Sequence, residues 1–374
     1  MKFIILKKNL KDGLRAIEKI TSDNLNLPIL KNFLIESFDN KIKLSATNLE
    51  LAITTFISGK IIENGGITIP LGIFSAIINN LQSERINLEL KNNKLSIKTD
   101  NYSAEIQGVK KEEFPIIPKI ADNQSYLEIN NSILKNSLIS IIDSIGVNAR
   151  PEFNGVLFDY QSTLLKLAAT DSFRLSEKTI FNTQFESNFN KNFKIIIPAK
   201  TIFECVKELQ NNENGKTIIY IDPSQILFKT ENTEIISRLI SGEFPQYQQI
   251  IPSGTETEIL LGKNELINAL KLAGIFTDRL SEIKFNFQKD LKNIEIFSHS
   301  QNLGENKYLI PAKIKSDAKS AIPETIFNWR FFLDGVKNIE SENVFIGLNN
   351  PNKPALIKSP EDISWFYILM PIKG

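Results

Sequence analysis

The chain repeats one short pattern three times, and this repeat constrains its fold more than any other feature. In each copy an apolar run is followed by one or two polar residues and then by apolar residues at helical spacing. That order predicts a strand followed by an amphipathic helix. The copies are "FIILKKNLKDGLRAIEKI" (3–20), "YLEINNSILKNSLISIIDSI" (126–145) and "EILLGKNELINALKLAGIF" (258–276). Because their spacing is close to the usual size of a domain, they predict three similar domains in tandem.

A second strand and helix follow each copy. In "ITIPLGIFSAIINNLQ" (67–82) and "IIIPAKTIFECVKELQ" (195–210) a proline stands at the helix start, whereas "FNWRFFLDGVKNI" (327–339) lacks it. Alternating stretches such as 40–57 and 284–298 predict strands. Each unit of about 125 residues then combines two helices with roughly eight strands, which is an α+β fold.

Two related segments mark the ends of the first two units. They are "EEFPIIP" (112–118) and "GEFPQYQQIIP" (242–252). We therefore predict domains at residues 1–122, 123–252 and 253–374. Three copies without a flexible linker are typical of a rigid scaffold, because a catalyst rarely needs three copies of its fold.

The charge balance argues against a tight grip on nucleic acid. The chain has 44 lysines and arginines against 43 acidic residues, whereas proteins that hold DNA by neutralising phosphates usually carry a clear basic excess. No apolar run approaches the length of a membrane span, and the single cysteine, Cys205, cannot form a disulfide within the chain. These features predict a cytoplasmic protein, with Cys205 a buried reduced thiol on an amphipathic helix.

The first helix is predicted to carry a stripe of cations. Its apolar face is formed by Leu10, Leu14 and Ile17, and residues four apart are neighbours on a helix. Further cations occur on the other predicted helices. The cations considered are Lys11, Arg15, Lys19, Lys200, Lys207, Lys271, Arg330 and Lys337. Two interpretations remain open, since acidic residues are interspersed: ordinary solvated helix faces, or helices lining one surface that faces a polyanion loosely.

The common catalytic motifs lack at least one part in this sequence. The only histidine is His299, in "IEIFSHSQ", and a serine hydrolase needs a histidine base near its nucleophile. "NENGKT" (212–217) reads as a polar turn and not a phosphate loop, and no cysteine and histidine set has metal-ligand spacing. We expect no metal and no cofactor. One enzyme alternative stays open, a hydrolase that uses Ser172 or Asp171 with His299.

Several motifs, taken in order along the whole chain, resemble one family. They are "LPIL" (27–30), "TNLELAI" (47–53), "NGVLFDY" with "AATDSFRLS" (154–176), "GEFPQYQQIIP" and the terminal "YILMPIKG" (367–374). The chain resembles the bacterial DNA polymerase III beta subunits, the sliding clamps. The resemblance implies a non-catalytic protein whose two copies join head to tail into a ring, with helices lining the hole and sheets outside. It also implies partners: duplex DNA, and the polymerase III alpha subunit and clamp-loader delta subunit through short linear motifs.

The resemblance further implies a hydrophobic groove that docks those motifs. Leucine and phenylalanine anchors of a peptide would enter an apolar pocket whose shape methionine can adapt. Phe173 stands where the family usually has histidine, and Gln249 where a basic residue is common. By motif matching the groove comprises Phe153, Thr170, Ser172, Phe173, Arg174, Leu175, Pro245, Gln249, Ile250, Ile368, Leu369, Met370, Pro371 and Ile372.

Two further contacts are implied by the resemblance alone. Asn24 lies in a loop where the family often has an arginine near DNA. At the dimer interface, Ala104 and Ile106 would meet the partner's Ile275 and Phe276. A second alternative to the clamp is a DNA-binding regulator, which would bind short linear duplexes tightly and with strong salt dependence.

Overall fold

The computed structural model describes residues 1–20, 27–120, 124–147, 150–316 and 322–373. Within these ranges the chain forms six α-helices and 26 β-strands. Each third contributes two helices and eight or nine strands to that total, so the composition predicted from the repeat is confirmed.

The first third contains the helix pair and nine strands. In chain order they are β1 Lys2–Leu6, α1 Lys7–Ile17, β2 Asn32–Phe38, β3 Lys41–Thr47, β4 Leu51–Ile57, β5 Lys60–Glu63, β6 Gly66–Pro70, α2 Leu71–Asn80, β7 Arg85–Lys91, β8 Lys94–Lys98 and β9 Ser103–Gln107. Short 3₁₀ helices occupy Pro28–Lys31 and Lys111–Glu113.

The middle third repeats this order. Its elements are β10 Leu127–Asn130, α3 Asn131–Ile142, β11 Gly155–Gln161, β12 Leu164–Thr170, β13 Arg174–Phe181, β14 Phe185–Ser187, β15 Phe193–Pro198, α4 Ala199–Asn211, β16 Lys216–Ile221, β17 Gln225–Lys229 and β18 Thr233–Arg238. Its 3₁₀ helices are Pro151–Phe153 and Tyr247–Ile250.

The last third has one strand fewer, because a single long strand replaces two. Its elements are β19 Thr257–Gly262, α5 Lys263–Ile275, β20 Glu282–Phe287, β21 Asn293–Ser300, β22 Gly304–Ser316, β23 Thr325–Asn328, α6 Trp329–Lys337, β24 Asn343–Leu348, β25 Ala355–Lys358 and β26 Trp365–Leu369.

The helices form where the apolar spacing predicts them. In α1, Leu10, Leu14 and Ile17 are all buried, as expected. The helix ends at Ile17, however, so Lys19 lies in the following turn and not on the helical stripe predicted for it. The helical pattern is lost there because the Ile20 amide donates to the Ile17 carbonyl at 3.2 Å, a tighter turn that buries Ile20 and leaves Lys19 exposed.

The first compact unit comprises residues 1–135, 185–189 and 203–239. Its two sheets have the strand orders β5-β1-β7-β8-β9 and β14-β10-β16-β17-β18-β4-β3-β2-β6. In the larger sheet β4 pairs with β18 in antiparallel register, so strands from the first and middle thirds share one sheet.

The second compact unit comprises residues 136–184, 190–202 and 240–374. Its strands follow the order β15-β11-β12-β13-β26-β25-β24-β19-β22-β21-β20-β23. Here β13 of the middle third pairs with β26 of the last third. A large apolar core packs around α5 and α6, and includes Leu270, Phe285, Phe332 and Tyr367.

Candidate functional site

The stretch "TDSFR" (170–174) forms a tight turn between β12 and β13. The Asp171 carboxylate caps the turn: its Oδ1 accepts hydrogen bonds from the Phe173 and Arg174 amides at 2.9 and 3.0 Å. The Thr170 hydroxyl donates to the Arg174 carbonyl at 2.7 Å. Ser172 has a φ of 80°, a left-handed conformation that serine rarely adopts, and such residues concentrate at functional sites.

Arg174 is held in place from three sides. Its Nε donates to Asp171 at 2.9 Å, a terminal nitrogen donates to Asp334 at 2.5 Å, and the guanidinium lies 4.2 Å from the centre of the Phe331 ring. Burial by itself would lower the pKa of the Arg174 guanidinium. Neighbouring Tyr367 and the two carboxylates raise that pKa by more than burial lowers it, so the group stays a cation. Asp171 and Arg174 therefore build the turn.

The C-terminal segment lies directly beside this turn. β26 pairs with β13, which places Leu369 opposite Arg174, and the Met370 amide donates to the Phe173 carbonyl at 2.8 Å. Farther on, the Ile372 amide donates to the Ile326 carbonyl at 2.8 Å. Ile368, Leu369 and Pro371 are buried, while Met370 and Ile372 are half-buried.

The segment 244–251 completes the candidate groove. Tyr247 is buried in an apolar cluster with Leu157, Ala168, Leu175 and Ile368, and Phe244 and Ile251 pack against that cluster. Pro245 is half-buried, whereas Gln249 and Ile250 are exposed.

The second unit thus contains all the residues predicted for the groove. Phe153 is half-buried at the end of a 3₁₀ helix, and Thr170 and Leu175 are buried. Phe173 is 62% exposed beside half-buried Met370, and Ile250 on the segment 244–251 is 42% exposed. Exposed apolar groups of this kind are suited to receiving the apolar anchors of a peptide.

The fold separates the groups that a hydrolase would need. Ser172 and Asp171 precede β13, whereas His299 lies exposed on β21, and five strands stand between β13 and β21 in the sheet order. The sheet therefore does not bring His299 next to the serine or the aspartate.

The predicted cations fall into two groups. Lys11 is half-buried, and Arg15, Lys19, Lys200, Lys271 and Arg330 are exposed. By contrast, Lys207 pairs with Glu204 at 3.4 Å, and Lys337 lies between Asp143 and Asp334 at 3.0 and 2.8 Å. Asn24 lies outside the described residues.

Lys8 is a cation that the sequence analysis missed. It is exposed and precedes Lys11 by three residues, so that it extends the stripe of Lys11 and Arg15 toward the start of α1. The i, i+3 spacing could have revealed it.

The predicted interface residues lie at open edges. β9 carries half-buried Ala104 and buried Ile106 and forms one edge of the five-stranded sheet. Ile275, the last residue of α5, is 60% exposed, and Phe276 caps the helix half-buried. The sequence analysis missed three exposed leucines in the same third of the chain, Leu280, Leu303 and Leu309.

Cys205 is a buried thiol, as predicted. Burial, with the nearby carboxylates of Glu208 and Glu204, raises its pKa. Among the described residues, no three histidine, cysteine, aspartate or glutamate side chains are grouped to hold a metal ion. None of the helices in the described ranges is long and apolar enough to cross a membrane.

Comparison with known proteins covers the chain from end to end. Residues 1–118, 123–246 and 248–373 match the family models of the N-terminal, central and C-terminal domains of the DNA polymerase III beta subunit. The Beta sliding clamp of Bacillus subtilis is 25% identical over the full length of both chains, and that of Chlamydia pneumoniae is 25% identical over 100% of this chain and 99% of its own.

Solved structures agree with that match. A putative DNA polymerase III beta subunit from Eubacterium rectale superimposes with a TM-score of 0.91 at 28% identity, over 100% of both chains. The DNA polymerase sliding clamp of Bacillus subtilis gives 0.93 at 24% identity, over 100% of this chain and 99% of its own. With three clamp domains of α+β composition, the chain belongs to the DNA polymerase III beta subunit family, the beta sliding clamps, which are non-catalytic processivity factors of DNA polymerase.

Proposed function

We propose that two copies of this chain join head to tail into a closed ring around duplex DNA and tether the replicative polymerase to it. The observation that carries the proposal is a strand junction. Among the strands that the structure describes it occurs twice, and the two strand segments that would form it a third time each have one edge without a partner strand.

The two complete junctions have the same construction. β4 has β3 on one side and β18 on the other, and β13 likewise lies between β12 and β26. Ile53 faces Ile235 in the first junction, and Ser176 faces Tyr367 in the second.

The third junction has both of its halves but no pairing between them. By the repeat, the first part of β22, which pairs with β21, corresponds to β4 and β13, and β9 corresponds to β18 and β26. Among the described strands, residues 304–311 of β22 pair only with β21, and β9 pairs only with β8. Open edges of this kind are ready templates for pairing with another chain.

The register of the third junction follows from the other two. Asn306 corresponds to Ile53 and Ser176, because each lies four residues before a buried isoleucine, which is Ile310 in β22. Ala104 corresponds to Ile235 and Tyr367 by its position opposite Ile97 in the β8–β9 pair. We therefore place Ala104 of the partner subunit opposite Asn306.

Apolar surface next to β22 supports this assignment. Leu303 directly precedes the strand and Leu309 lies within its first part, and they are 58% and 49% exposed. A Cβ atom built on Gly304 would lie 4.0 Å from the Phe276 ring, so the start of the strand adjoins the end of α5, where Ile275 is exposed. A second copy would cover these groups, and burying apolar surface stabilises association.

The cations fit a loose hold on DNA. Lys8, Lys11 and Arg15 form one stripe on α1, while Lys207 and Lys337 are neutralised by carboxylates. Each phosphate contact adds to the salt dependence and strength of DNA binding. A few unpaired cations inside a closed ring would therefore attract DNA without fixing the protein to one position.

The groove is proposed to receive the protein partners. Short linear motifs of the polymerase III alpha subunit and of the clamp-loader delta subunit would insert apolar anchors beside Phe173, Ile250 and Met370. An ATP-driven loader would open the ring, because a closed ring cannot thread onto internal DNA. We keep the domain limits 1–122, 123–252 and 253–374 and a cytoplasmic location as part of the proposal.

Intermolecular crosslinking tests the ring. The double variant Ala104→Cys, Asn306→Cys should form disulfide-linked dimers under mild oxidation, since directly opposed residues of antiparallel strands approach within disulfide range. The native Cys205 is buried and does not interfere. The matched control is Ile106→Cys with Asn306→Cys, which shifts one partner by two residues and should crosslink less. Crosslinking equal to the control, or none, would contradict the register, and a monomer in sedimentation would contradict the ring.

Peptide binding tests the groove. A fluorescein-labelled peptide of sequence Gln-Leu-Ala-Leu-Phe should bind the unaltered protein and bind more weakly to Met370→Ala. Arg238→Ala is the matched control, because the Arg238 amide donates to the Glu50 carbonyl at 2.8 Å, as the Met370 amide does to Phe173. Equal weakening by both variants would show that the peptide does not bind at the proposed groove.

A further inference from the structure

A row of charged side chains crosses four strands of the second unit. On one face of the sheet, Asp159 of β11 lies directly opposite Lys194 of β15 and Lys166 of β12. The Asp159 carboxylate pairs with Lys194 at 3.0 Å, and Lys166 pairs with Glu177 of β13 at 3.3 Å. Asp159 and Glu177 are only 3% and 4% exposed. Buried carboxylates are costly unless they are paired and hydrogen-bonded, so every partner in this row matters.

Tyr247 is the last member of the row. Its hydroxyl donates a hydrogen bond of 2.5 Å to the Glu177 carboxylate. The ring of Tyr247 packs in the apolar cluster described above and meets Phe244 edge to face, with 5.9 Å between the ring centres. One side chain therefore contacts both the apolar cluster and the charged row.

The hydrogen bond from Tyr247 to Glu177 links a turn of the groove to the sheet, because of where Tyr247 lies in the chain. Tyr247 is the first residue of the 3₁₀ helix Tyr247–Ile250, which carries Gln249 and Ile250. The backbone hydrogen bonds of this turn are local, from the Tyr247 amide to Pro245 and from the Gln249 amide to Gln246. The phenol, by contrast, ties the turn to β13, the strand that begins with Arg174.

We infer that the hydrogen bond from Tyr247 to Glu177 is a positioning element for the docking groove: it fixes the wall that carries Pro245, Gln249 and Ile250 against the sheet. Tyr247 itself is buried and does not touch the peptide. The inference rests on the proposed function, since it assigns a role within the same groove.

The chemistry of the pair suits a fixed anchor. Hydrogen bonds to an ionised carboxylate are shorter and stronger than neutral ones, and the Lys166 ammonium lies 3.3 Å from the Glu177 oxygen that Tyr247 does not use. Burial, together with the nearby Glu177 charge, raises the pKa of Tyr247 well above its ordinary value, so the phenol remains a donor. Tyrosine has only two side-chain torsions and therefore little rotamer freedom. One strong hydrogen bond from its hydroxyl can then fix the distance between the 3₁₀ turn and the sheet.

The test compares three single variants of the full chain, using the labelled Gln-Leu-Ala-Leu-Phe peptide. Tyr247→Phe removes only the hydroxyl, and we expect peptide binding to weaken roughly 3- to 10-fold. Glu177→Gln keeps an acceptor oxygen for the phenol but removes the charge that strengthens the bond, so its affinity should fall by less than that of Tyr247→Phe. Lys194→Ala changes the far end of the row without contacting Tyr247 and is the matched control.

Hydrogen exchange separates positioning from general stability. In Tyr247→Phe the amides of 247–251 should exchange faster than in the unaltered protein, with little change in β12 and β13. Peptide affinity that is unchanged in Tyr247→Phe, or that falls only in proportion to a lower Tm in all three variants, would overturn the inference. Absence of peptide binding by the unaltered protein would instead refute the groove itself, so the two failures are distinguishable.

Discussion

Gly335 offers a sharp test of the packing beneath the groove. This glycine lies in α6, and a Cβ atom at its position would stand 2.6 Å from Cδ1 and 2.8 Å from Cε1 of Tyr367. Ordinary carbon contacts are about 3.5–4.0 Å, so the alanine methyl requires a shift of roughly 1 Å. Tyr367 is 1% exposed and its hydroxyl donates to the Phe331 carbonyl at 2.8 Å, which leaves the ring little room to move.

The expected magnitude follows from two opposing effects. Alanine in place of glycine in a helix is worth about 1 kcal/mol, whereas overpacking a close-packed core costs about 1–3 kcal/mol. Because Tyr367 is held at both ends, we expect the cost to be near its upper range. Gly335→Ala should then lower the free energy of unfolding by about 1–2 kcal/mol, and it should weaken peptide binding because Tyr367 belongs to the strand that ends at Leu369.

Urea denaturation provides the assay. Both tryptophans, Trp329 and Trp365, lie in the second unit, so their fluorescence reports its unfolding, while circular dichroism follows the whole chain. The matched control is Gly72→Ala in α2, where nothing lies within 4 Å of the added methyl. That variant should be unchanged or more stable by roughly 0.5 kcal/mol. A Gly335→Ala protein as stable as the control would refute the packing argument.

Two further measurements address charge. Replacing Lys11 and Arg15 by alanine should reduce the slope of log affinity against log salt for a short linear duplex by about 2, because each phosphate contact contributes about 0.9. A steep slope in the unaltered protein that stays equally steep in the double variant would favour the DNA-binding regulator. Burial raises the pKa of Glu208, although the Thr233 and Thr230 hydroxyls partly offset this. When folding raises the pKa of a carboxyl, the free energy of unfolding of the protein falls as pH rises from the unfolded pKa to the folded one, because the buried group must then ionise. Glu208→Gln should therefore stabilise the protein at pH 8 and not at pH 4. Unfolding curves at the two pH values check this, and equal effects at both would contradict it.

Much of the candidate site was visible in the sequence because its parts are local patterns. The turn at "TDSFR" is one such local pattern, since an aspartate side chain readily bonds amides two and three residues on, as Asp171 does here. Leu10, Leu14 and Ile17 are buried because helical spacing places them on one face. The groove residues themselves came from the resemblance to the family, and their docking role stays a prediction.

The features that were missed depend on neighbours distant in sequence. The residues around Tyr247 in "GEFPQYQQI" do not predict that its hydroxyl donates a hydrogen bond to Glu177, seventy residues earlier. The sequence does not distinguish Lys207 and Lys337 from Lys200, because the carboxylates that pair with the first two are recognised only in the folded structure. Lys19 left its predicted stripe because the helix ends two residues before it.

By itself the sequence determined the threefold repeat, the α+β composition and the absence of a matched catalytic set, because periodicity and residue type depend on the chain within a few residues. Tertiary structure decided which cations are neutralised, which strand edges stay open and which side chain anchors the groove wall. The physical reason is that ion pairs, strand partners and burial are set between segments that only the folded sheet brings together, as β13 and β26 show.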